Sequence, residues 1–196
     1  LSWLAYEEAV NEATFDIEYV SKSYAIGGCD LSAVGDLTCG TVIIQKPGDS
    51  NIYVLQMYFI PQSKLDFVER TGAKEAPYKL WAEQGWLKIC DGAQVNYSDV
   101  TAWFVELVRK HDIRPLWICY DRALSGYWVP EMESYGFDME KTAQGPYTWN
   151  QPMREMQAAF SEHRVIYNNN PILRWCLLNT AAKRTKSDSL EVMQIA

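Results

Sequence analysis

The sequence lacks the short motifs of several common enzyme classes. No G-x-x-x-x-G-K-S/T run is present, so the chain has no P-loop and cannot itself be that kind of ATPase. No G-x-G-x-x-G follows a strand-like segment, which disfavours a dinucleotide-binding fold. The G-x-S-x-G elbow and the H-E-x-x-H helix are absent as well, which excludes the simplest serine-hydrolase and zinc-protease readings.

Histidine is scarce, and the cysteines lack the close spacing of a metal knuckle. The only histidines are His111 and His163, so a Cys–His catalytic pair is disfavoured. No C-x-x-C pair exists, which makes a zinc ribbon improbable. Most of the cysteines lie in apolar runs, where a free thiol behaves as a small hydrophobe, and a reducing, intracellular setting is the natural expectation. The five are Cys29, Cys39, Cys90, Cys119 and Cys176.

Positive charge and long apolar runs are also in short supply. The 18 Lys and Arg against 25 Asp and Glu give a net charge of −7 and a pI near 4.9, which argues against a general nucleic-acid coat. An enzyme that handles nucleic acid through a local patch and a carboxylate-bound metal stays open. No stretch approaches the ~18 apolar residues of a membrane helix, and no basic signal-peptide start is visible. The 48% hydrophobic content of 196 residues suits one folded domain.

The order of strand-like and helix-like segments predicts an α/β fold. Segments 24–30, 38–45 and 52–60 read as three strands joined by short turns, hence an antiparallel meander. Strands and helices alternate after that, and the clearest helical stripe begins at Val100, with Ser98 or Asp99 as the expected cap. The expected architecture is a mixed sheet, three antiparallel strands then parallel ones, flanked by helices.

Two aspartates follow predicted strands directly, and a third lies in the next turn. Asp30 ends the first strand, Asp121 follows the apolar run 116–120, and Asp36 lies six residues after Asp30. Each has a plain structural alternative: Asp30 and Asp36 as turn residues, Asp30 bonding toward Ser32, and Asp121 as a helix cap. Together at one sheet edge, such acids would repel one another unless a cation intervenes, and Mg²⁺ or Mn²⁺ prefers carboxylate oxygens.

Residues 27–38, G-G-C-D-L-S-A-V-G-D-L-T, resemble the strand–turn of the nuclease domain of tailed-bacteriophage large terminase subunits. Further stretches resemble that family in the same order, which makes chance agreement improbable. They are F-I-P at 59–61, A-P-Y with Trp81 and Q-G at 76–85, I-C-Y-D at 118–121, H-R at 163–164 and N-P-I-L-R-W with Asn179 at 170–179.

The resemblance implies an RNase H-like fold and metal-dependent cleavage of concatemeric double-stranded DNA during viral genome packaging. By resemblance, Asp30 is the first metal-binding acid, Asp121 the second and Asp36 a further acid near a two-metal Mg²⁺ or Mn²⁺ site. The family's third essential acid has no counterpart before Ala196, and Asp188 reads as a turn residue. The nuclease domain is therefore expected over 23–196, shortened at its carboxyl end, with 1–22 a linker or helix from a missing ATPase domain.

A few further residues are candidates for support of the site or for DNA contact. His163 is one, although a structural histidine at a helix end is an equal alternative. Lys183, Arg184 and Lys186 form the densest basic run, and a solvated loop is the plainer interpretation of it.

Partners and rival functions follow from the same resemblance. The expected partners are double-stranded DNA, the ATPase domain of the same chain, the small terminase subunit and the portal, with no membrane. The expected location is the host-cell cytoplasm, without secretion. Two alternatives stay open: a non-catalytic docking or DNA-binding module of the packaging motor, and an RNase H-like resolvase or integrase relative.

Overall fold

The computed structural model describes residues 2–32, 36–72, 76–121, 125–143, 145–184 and 190–194. The chain divides into two compact units. The first unit comprises Leu1–Asp16, Gln45–Val54 and Ala143–Ala196, and the second comprises Ile17–Ile44 and Leu55–Thr142.

The described residues form strands and helices in an order that follows the predicted alternation. The strands are β1 (Tyr24–Asp30), β2 (Thr38–Ile44), β3 (Ile52–Pro61), β4 (Leu87–Cys90), β5 (Arg114–Tyr120), β6 (Met139–Lys141), β7 (Val165–Ile166), β8 (Thr180–Arg184) and β9 (Leu190–Gln194). The helices are α1 (Tyr6–Ala9), α2 (Ile17–Val20), α3 (Gln62–Thr71), α4 (Tyr78–Glu83), α5 (Tyr97–His111), α6 (Trp128–Ser134), α7 (Pro146–Ser161) and α8 (Pro171–Leu178).

The second unit contains a mixed sheet in the order β4-β3-β2-β1-β5-β6. β1 pairs antiparallel with β2 and parallel with β5, so it is the strand at which the direction changes. β5 and β6 also pair in parallel, as do β3 and β4. The predicted mixed sheet, antiparallel at its start and parallel afterwards, is confirmed.

One face of β1, β2 and β5 is tightly packed. A Cβ atom at Gly27 would lie 2.7 Å from Ile118 Cγ1, and one at Gly40 would lie 3.0 Å from the Trp103 ring. Phe104 and Ile118 are fully buried beside them. Helix α5 therefore packs closely onto this side of the sheet, which we call the packed face; its strand residues are Gly27, Cys29, Gly40, Val42 and Ile118.

The opposite side of the same strands stays partly open to solvent. Strand pairing puts alternate residues there, and they are half-exposed or exposed where their neighbours in sequence are buried. We call this side the open face; its strand residues are Ile26, Gly28, Asp30, Cys39, Thr41, Ile43 and Cys119.

The observed cap of helix α5 lies two residues before Ser98 and three before Asp99, the two predicted caps. The Asn96 side chain accepts a hydrogen bond from the Ser98 amide at 3.2 Å, so Asn96 is the cap rather than Ser98 or Asp99. The helix ends at Asp112, whose positive φ of 53° gives the left-handed turn that leads into β5. Its last turn carries Arg109 and Lys110, which complement the negative end of the helix dipole.

In the first unit, residues near the amino end bond to residues far along the chain. Asn11 Nδ2 donates to the carbonyl oxygens of His163 and Val165, each at 2.9 Å, and Tyr167 Oη donates to the Ala9 carbonyl. Asn170 caps helix α8, because its Oδ1 accepts a hydrogen bond from the Ile172 amide at 2.9 Å. The interpretation of 1–22 as a linker from another domain stays a prediction.

The basic run near the carboxyl end differs from its predicted structure. The backbone of Lys183 and Arg184 belongs to β8, which pairs antiparallel with β9 from Thr180 opposite Gln194 to Arg184 opposite Leu190. The loop interpretation is therefore wrong for these two residues. Lys186 and Asp188 lie outside the described residues. No helix within the described ranges is both long and apolar enough to cross a membrane.

Candidate functional site at the ends of two parallel strands

Two of the three predicted acids lie at the carboxyl ends of neighbouring parallel strands. Asp30 is the last residue of β1, and Asp121 directly follows the last residue of β5. The register pairs Cys29 with Tyr120, so the next residue on each strand is one of these acids. Alternation along the strands puts both on the side of the open face. This edge is where open α/β sheets usually collect their chemistry.

The acids influence one another electrostatically. The pKa of Asp30 is raised above its ordinary value, first by partial loss of hydration at the sheet edge, then by the charge of Asp121, and then by that of Asp36. The Asp30 side chain still reaches solvent. A positive charge at this edge would relieve the repulsion between the carboxylates, so the site favours a cation between or beside the acids.

The turn between β1 and β2 is held by a small hydrogen-bonded cluster. The Ser32 amide donates to Thr38 Oγ1 at 2.9 Å, and Ser32 Oγ donates to the Asp36 carbonyl at 2.7 Å. Tyr97 Oη, from the first turn of α5, donates to the Ser32 carbonyl at 2.9 Å. These bonds tie the backbone of Asp36 to the end of β1. Ser32 therefore donates its amide to Thr38, which differs from the turn interpretation in which Asp30 bonds toward Ser32.

Asp121 does not cap the helix that follows it. Helix α6 begins at Trp128, and its cap position is Tyr127. The Asp121 side chain is half-buried, six residues earlier in the chain. The helix-cap interpretation of Asp121 is therefore wrong.

The chemistry of the acids fits a hard divalent cation, although the described residues offer few ligands for it. Carboxylate oxygens are the donors that Mg²⁺ and Mn²⁺ prefer, and Asp30 and Asp121 would hold the ion with Asp36 nearby. In the part of the chain that the structure describes, no group of three or more His, Cys, Asp or Glu is arranged to hold a metal. The acids thus offer a partial set of ligands.

The remaining candidates lie in the first compact unit or outside the described residues. His163 is exposed, follows α7 with a positive φ of 54°, and its amide donates to the Phe160 carbonyl at 2.9 Å. The position and the backbone hydrogen bond of His163 agree with the interpretation as a structural histidine at a helix end. Its contact with DNA stays a prediction. The roles of Lys183, Arg184 and Lys186 stay predictions as well.

Sequence reasoning missed the residues that brace the acidic edge. Tyr97 carries no motif of its own, and Thr38 closes the 27–38 motif without an assigned role; the fold brings both to Ser32. Thr38 is fully buried, which is unusual for a threonine that begins a strand after a turn. A buried hydroxyl needs a partner, but the sequence alone does not say which one.

Comparison with known proteins identifies relatives among phage terminase large subunits. The family model described as "Terminase large subunit, endonuclease domain" matches residues 2–196. The terminase large subunit of Enterobacteria phage HK97 is 29% identical over 161 residues, which cover 81% of this chain and 30% of that protein. The chain thus corresponds to less than a third of that relative's length.

Solved structures agree on the fold. The crystal structure of the HK97 bacteriophage large terminase has a TM-score of 0.82 and 22% identity, covering 98% of this chain and 39% of that one. The large terminase nuclease from thermophilic phage G20c with bound magnesium has a TM-score of 0.57 and 11% identity, with coverage of 98% and 87%. The predicted RNase H-like mixed α/β fold is confirmed.

Proposed function

The chain belongs to the terminase large-subunit family, whose endonuclease-domain model it matches, and we propose that it is a divalent-metal-dependent endodeoxyribonuclease. Its substrate is concatemeric double-stranded viral DNA, and the reaction class is two-metal hydrolysis of a phosphodiester. The observation that carries the proposal is the pair of acids, Asp30 and Asp121, at the ends of adjacent parallel strands. A relative of the same fold with bound magnesium supports the choice of cation.

The acids have separate tasks in this proposal. Asp30 and Asp121 bind the metal directly, and Asp36 holds an outer position on the same edge. When bound, the divalent ions would supply Lewis-acid chemistry at the phosphate oxygens. The negative charge of Asp121 contributes to the raised pKa of Asp30, so a cation at this edge would favour the ionised form of the Asp30 carboxyl. By family resemblance, a third essential acid would join these two carboxylates.

The partners are also part of the proposal. Double-stranded DNA is the substrate, and the ATPase domain of the same polypeptide, the small terminase subunit and the portal are the protein partners. The proposed location is the host-cell cytoplasm. His163, Lys183, Arg184 and Lys186 remain candidates for support of the site or for DNA contact.

The test is cleavage of supercoiled plasmid in the presence of Mn²⁺. We expect this chain, or a form extended past Ala196, to nick and linearise the plasmid, and chelation by EDTA to stop the reaction. Asp30→Asn and Asp121→Asn should each lower the rate by about a hundredfold or more, because a neutral amide binds the ion poorly.

Asp91→Asn is the matched control. Asp91 is an exposed acid directly after β4, three strands away from β1 in the sheet order, and its removal should leave the rate unchanged. Absence of metal-dependent cutting by the longer form, or undiminished cutting by Asp30→Asn, would contradict the proposal.

A second candidate function is a docking or DNA-binding module that does not cut in this form. The observation that favours it is the partial ligand set among the described residues. Isothermal titration with Mn²⁺ separates the two: binding that Asp30→Asn abolishes supports the nuclease, and no heat at millimolar metal supports docking. The resolvase or integrase alternative is dropped, because the terminase model matches residues 2–196.

A further inference from the structure

The open face of the sheet has a gap beside the acidic edge. Gly28 lies in the middle strand, opposite Thr41 on β2 and Cys119 on β5. Among the described residues, a Cβ atom built at Gly28 would have no heavy atom within 4 Å beyond the adjoining chain. The backbone of β1 is therefore uncovered at this point, although it lies inside a sheet with a strand on each side.

The gap and the acids lie on the same surface. Gly28 precedes Asp30 by two residues, so strand alternation puts both on the open face, about 6.6 Å apart along the strand. Cys119 precedes Asp121 by two residues on β5 in the same way. A molecule that reaches the two acids and continues along the strands passes directly over Gly28.

The border of the gap on the β2 side is fixed by hydrogen bonds. Gln56 Nε2 donates to Thr41 Oγ1 at 3.0 Å, and Tyr58 Oη donates to Gln56 Oε1 at 3.1 Å. Tyr58 is buried, which anchors the row at its far end. Thr41 is therefore held in place by its neighbours. The gap is a standing feature of the surface rather than a space that a loose side chain could fill.

We propose that the gap over Gly28, bordered by Thr41 and Cys119, seats the nucleotide next to the scissile phosphate of the DNA strand. Glycine inside a strand often marks a place where a ligand comes close to the backbone, since it removes the only side chain in the way. The occupant is a nucleotide because the gap continues from the acidic pair, and the inference rests on the proposed nuclease function. Thr41 supplies a hydroxyl group at the border. The small side chain of Cys119 forms the other border and makes no base-specific hydrogen bonds.

The test begins with variants that fill the gap. Gly28→Ala and Gly28→Val add one and three carbons on the open face, and valine is favoured in strands. We expect kcat/KM for plasmid or oligonucleotide cleavage to fall modestly for alanine and by about tenfold or more for valine. The metal titration should match that of the wild type, because the acids are untouched.

Tyr24→Trp is the matched control. Tyr24 lies on the same strand and the same face, four residues from Gly28, and is 66% exposed. Its replacement adds bulk far from the acids and should leave kcat/KM unchanged. Thermal unfolding of all three variants shows whether a loss of cutting reflects a loss of fold; a variant that unfolds early is replaced by Gly28→Ser, which adds two atoms.

A second readout does not depend on cutting. With EDTA present, duplex DNA at low salt should slow the alkylation of Cys119 by iodoacetamide, measured by peptide mass spectrometry. Cys176, which is half-exposed in α8, is the internal reference and should react at the same rate with and without DNA. DNA would shield Cys119 because it covers the gap that this thiol borders.

The outcomes separate the two proposals. If Gly28→Val cuts DNA at the wild-type rate and with the wild-type KM, the proposed nucleotide site over Gly28 is contradicted. The nuclease proposal is not affected by that result. The proposed nucleotide site is also contradicted if DNA does not change the rate of Cys119 alkylation, or if it slows the alkylation of Cys119 and Cys176 equally. If the wild type never cuts, the nuclease proposal fails, and the protection of Cys119 alone then decides whether DNA lies over Gly28.

Discussion

The two faces of the sheet differ most sharply at two adjacent glycines. A Cβ at Gly27 would lie 2.7 Å from Ile118, whereas one at Gly28 would meet open space. Gly27 is glycine because the packed face leaves no room for a side chain there. Gly28 has room, so packing does not explain its lack of a side chain. The contrast teaches that one residue type can mark close packing on one side of a strand and an accessible surface on the other.

The largest expected effect is the loss of unfolding free energy when the packed face is disrupted at Ile118. Ile118→Ala removes a fully buried side chain that contacts Gly27, and it should lower the free energy of unfolding by about 2–5 kcal/mol. Cys119→Ala, one residue later and on the open face, should cost less than about 1 kcal/mol, because the thiol is small and half-exposed. Urea unfolding of the two variants measures the difference. Equal losses would mean that the two faces are packed alike.

The next effect tests the glycines themselves. Gly27→Ala forces its methyl group against Ile118 and should cost about 1–3 kcal/mol. Gly28→Ala should change stability by no more than about 0.5 kcal/mol, since nothing stands in the way of the new atom. Thermal and urea unfolding give both values. A destabilised Gly28→Ala would show that the open face is covered.

The sequence predicted the architecture and the positions of the acids well, for local reasons. The strand 24–30 ends on Asp30 and the apolar run 116–120 is followed directly by Asp121, so the ends of both strands could be located without knowledge of the neighbours. The stripe beginning at Val100 predicted helix α5 in the same way. The cap was placed two residues late, because Asn96, Ser98 and Asp99 can all cap a helix and only the bond to the Ser98 amide distinguishes them.

Features that depend on distant partners could not be predicted. The segment T-A-A-K-R of β8 has no alternation of its own and becomes a strand by pairing with β9. The different surroundings of Gly27 and Gly28 depend on which face α5 covers, and two glycines in a row carry no such information. The bond that Tyr97 Oη donates to the Ser32 carbonyl likewise connects residues that are far apart in the chain.

A smaller effect tests whether the open face is an ordered surface. Thr41→Val keeps the shape of the side chain but removes the oxygen that accepts from Gln56 Nε2 at 3.0 Å. We expect a loss of about 1 kcal/mol in the free energy of unfolding, because the Gln56 amide then loses a partner in a half-buried place. Gln56→Leu should itself lower stability, because the buried Tyr58 Oη then loses this acceptor, and the double variant should lose less than the sum of the two single losses. Additive losses in this double-mutant cycle would argue that the bond contributes nothing.

The smallest effect is the pH dependence of the free energy of unfolding that comes from one buried thiol of the sheet, that of Cys90. Cys90, at the end of β4, is buried, and that burial above all raises its pKa to about 11. The folded chain thus keeps the Cys90 proton where the unfolded chain has lost it. Stability linked to this thiol is therefore complete below its ordinary pKa near 9 and falls as the pH rises toward 11. Cys90→Ala should flatten part of the decline in unfolding free energy over that window, which urea unfolding at a series of pH values measures. A decline that the substitution leaves unchanged would show that burial at the end of β4 does not hold the proton on this thiol.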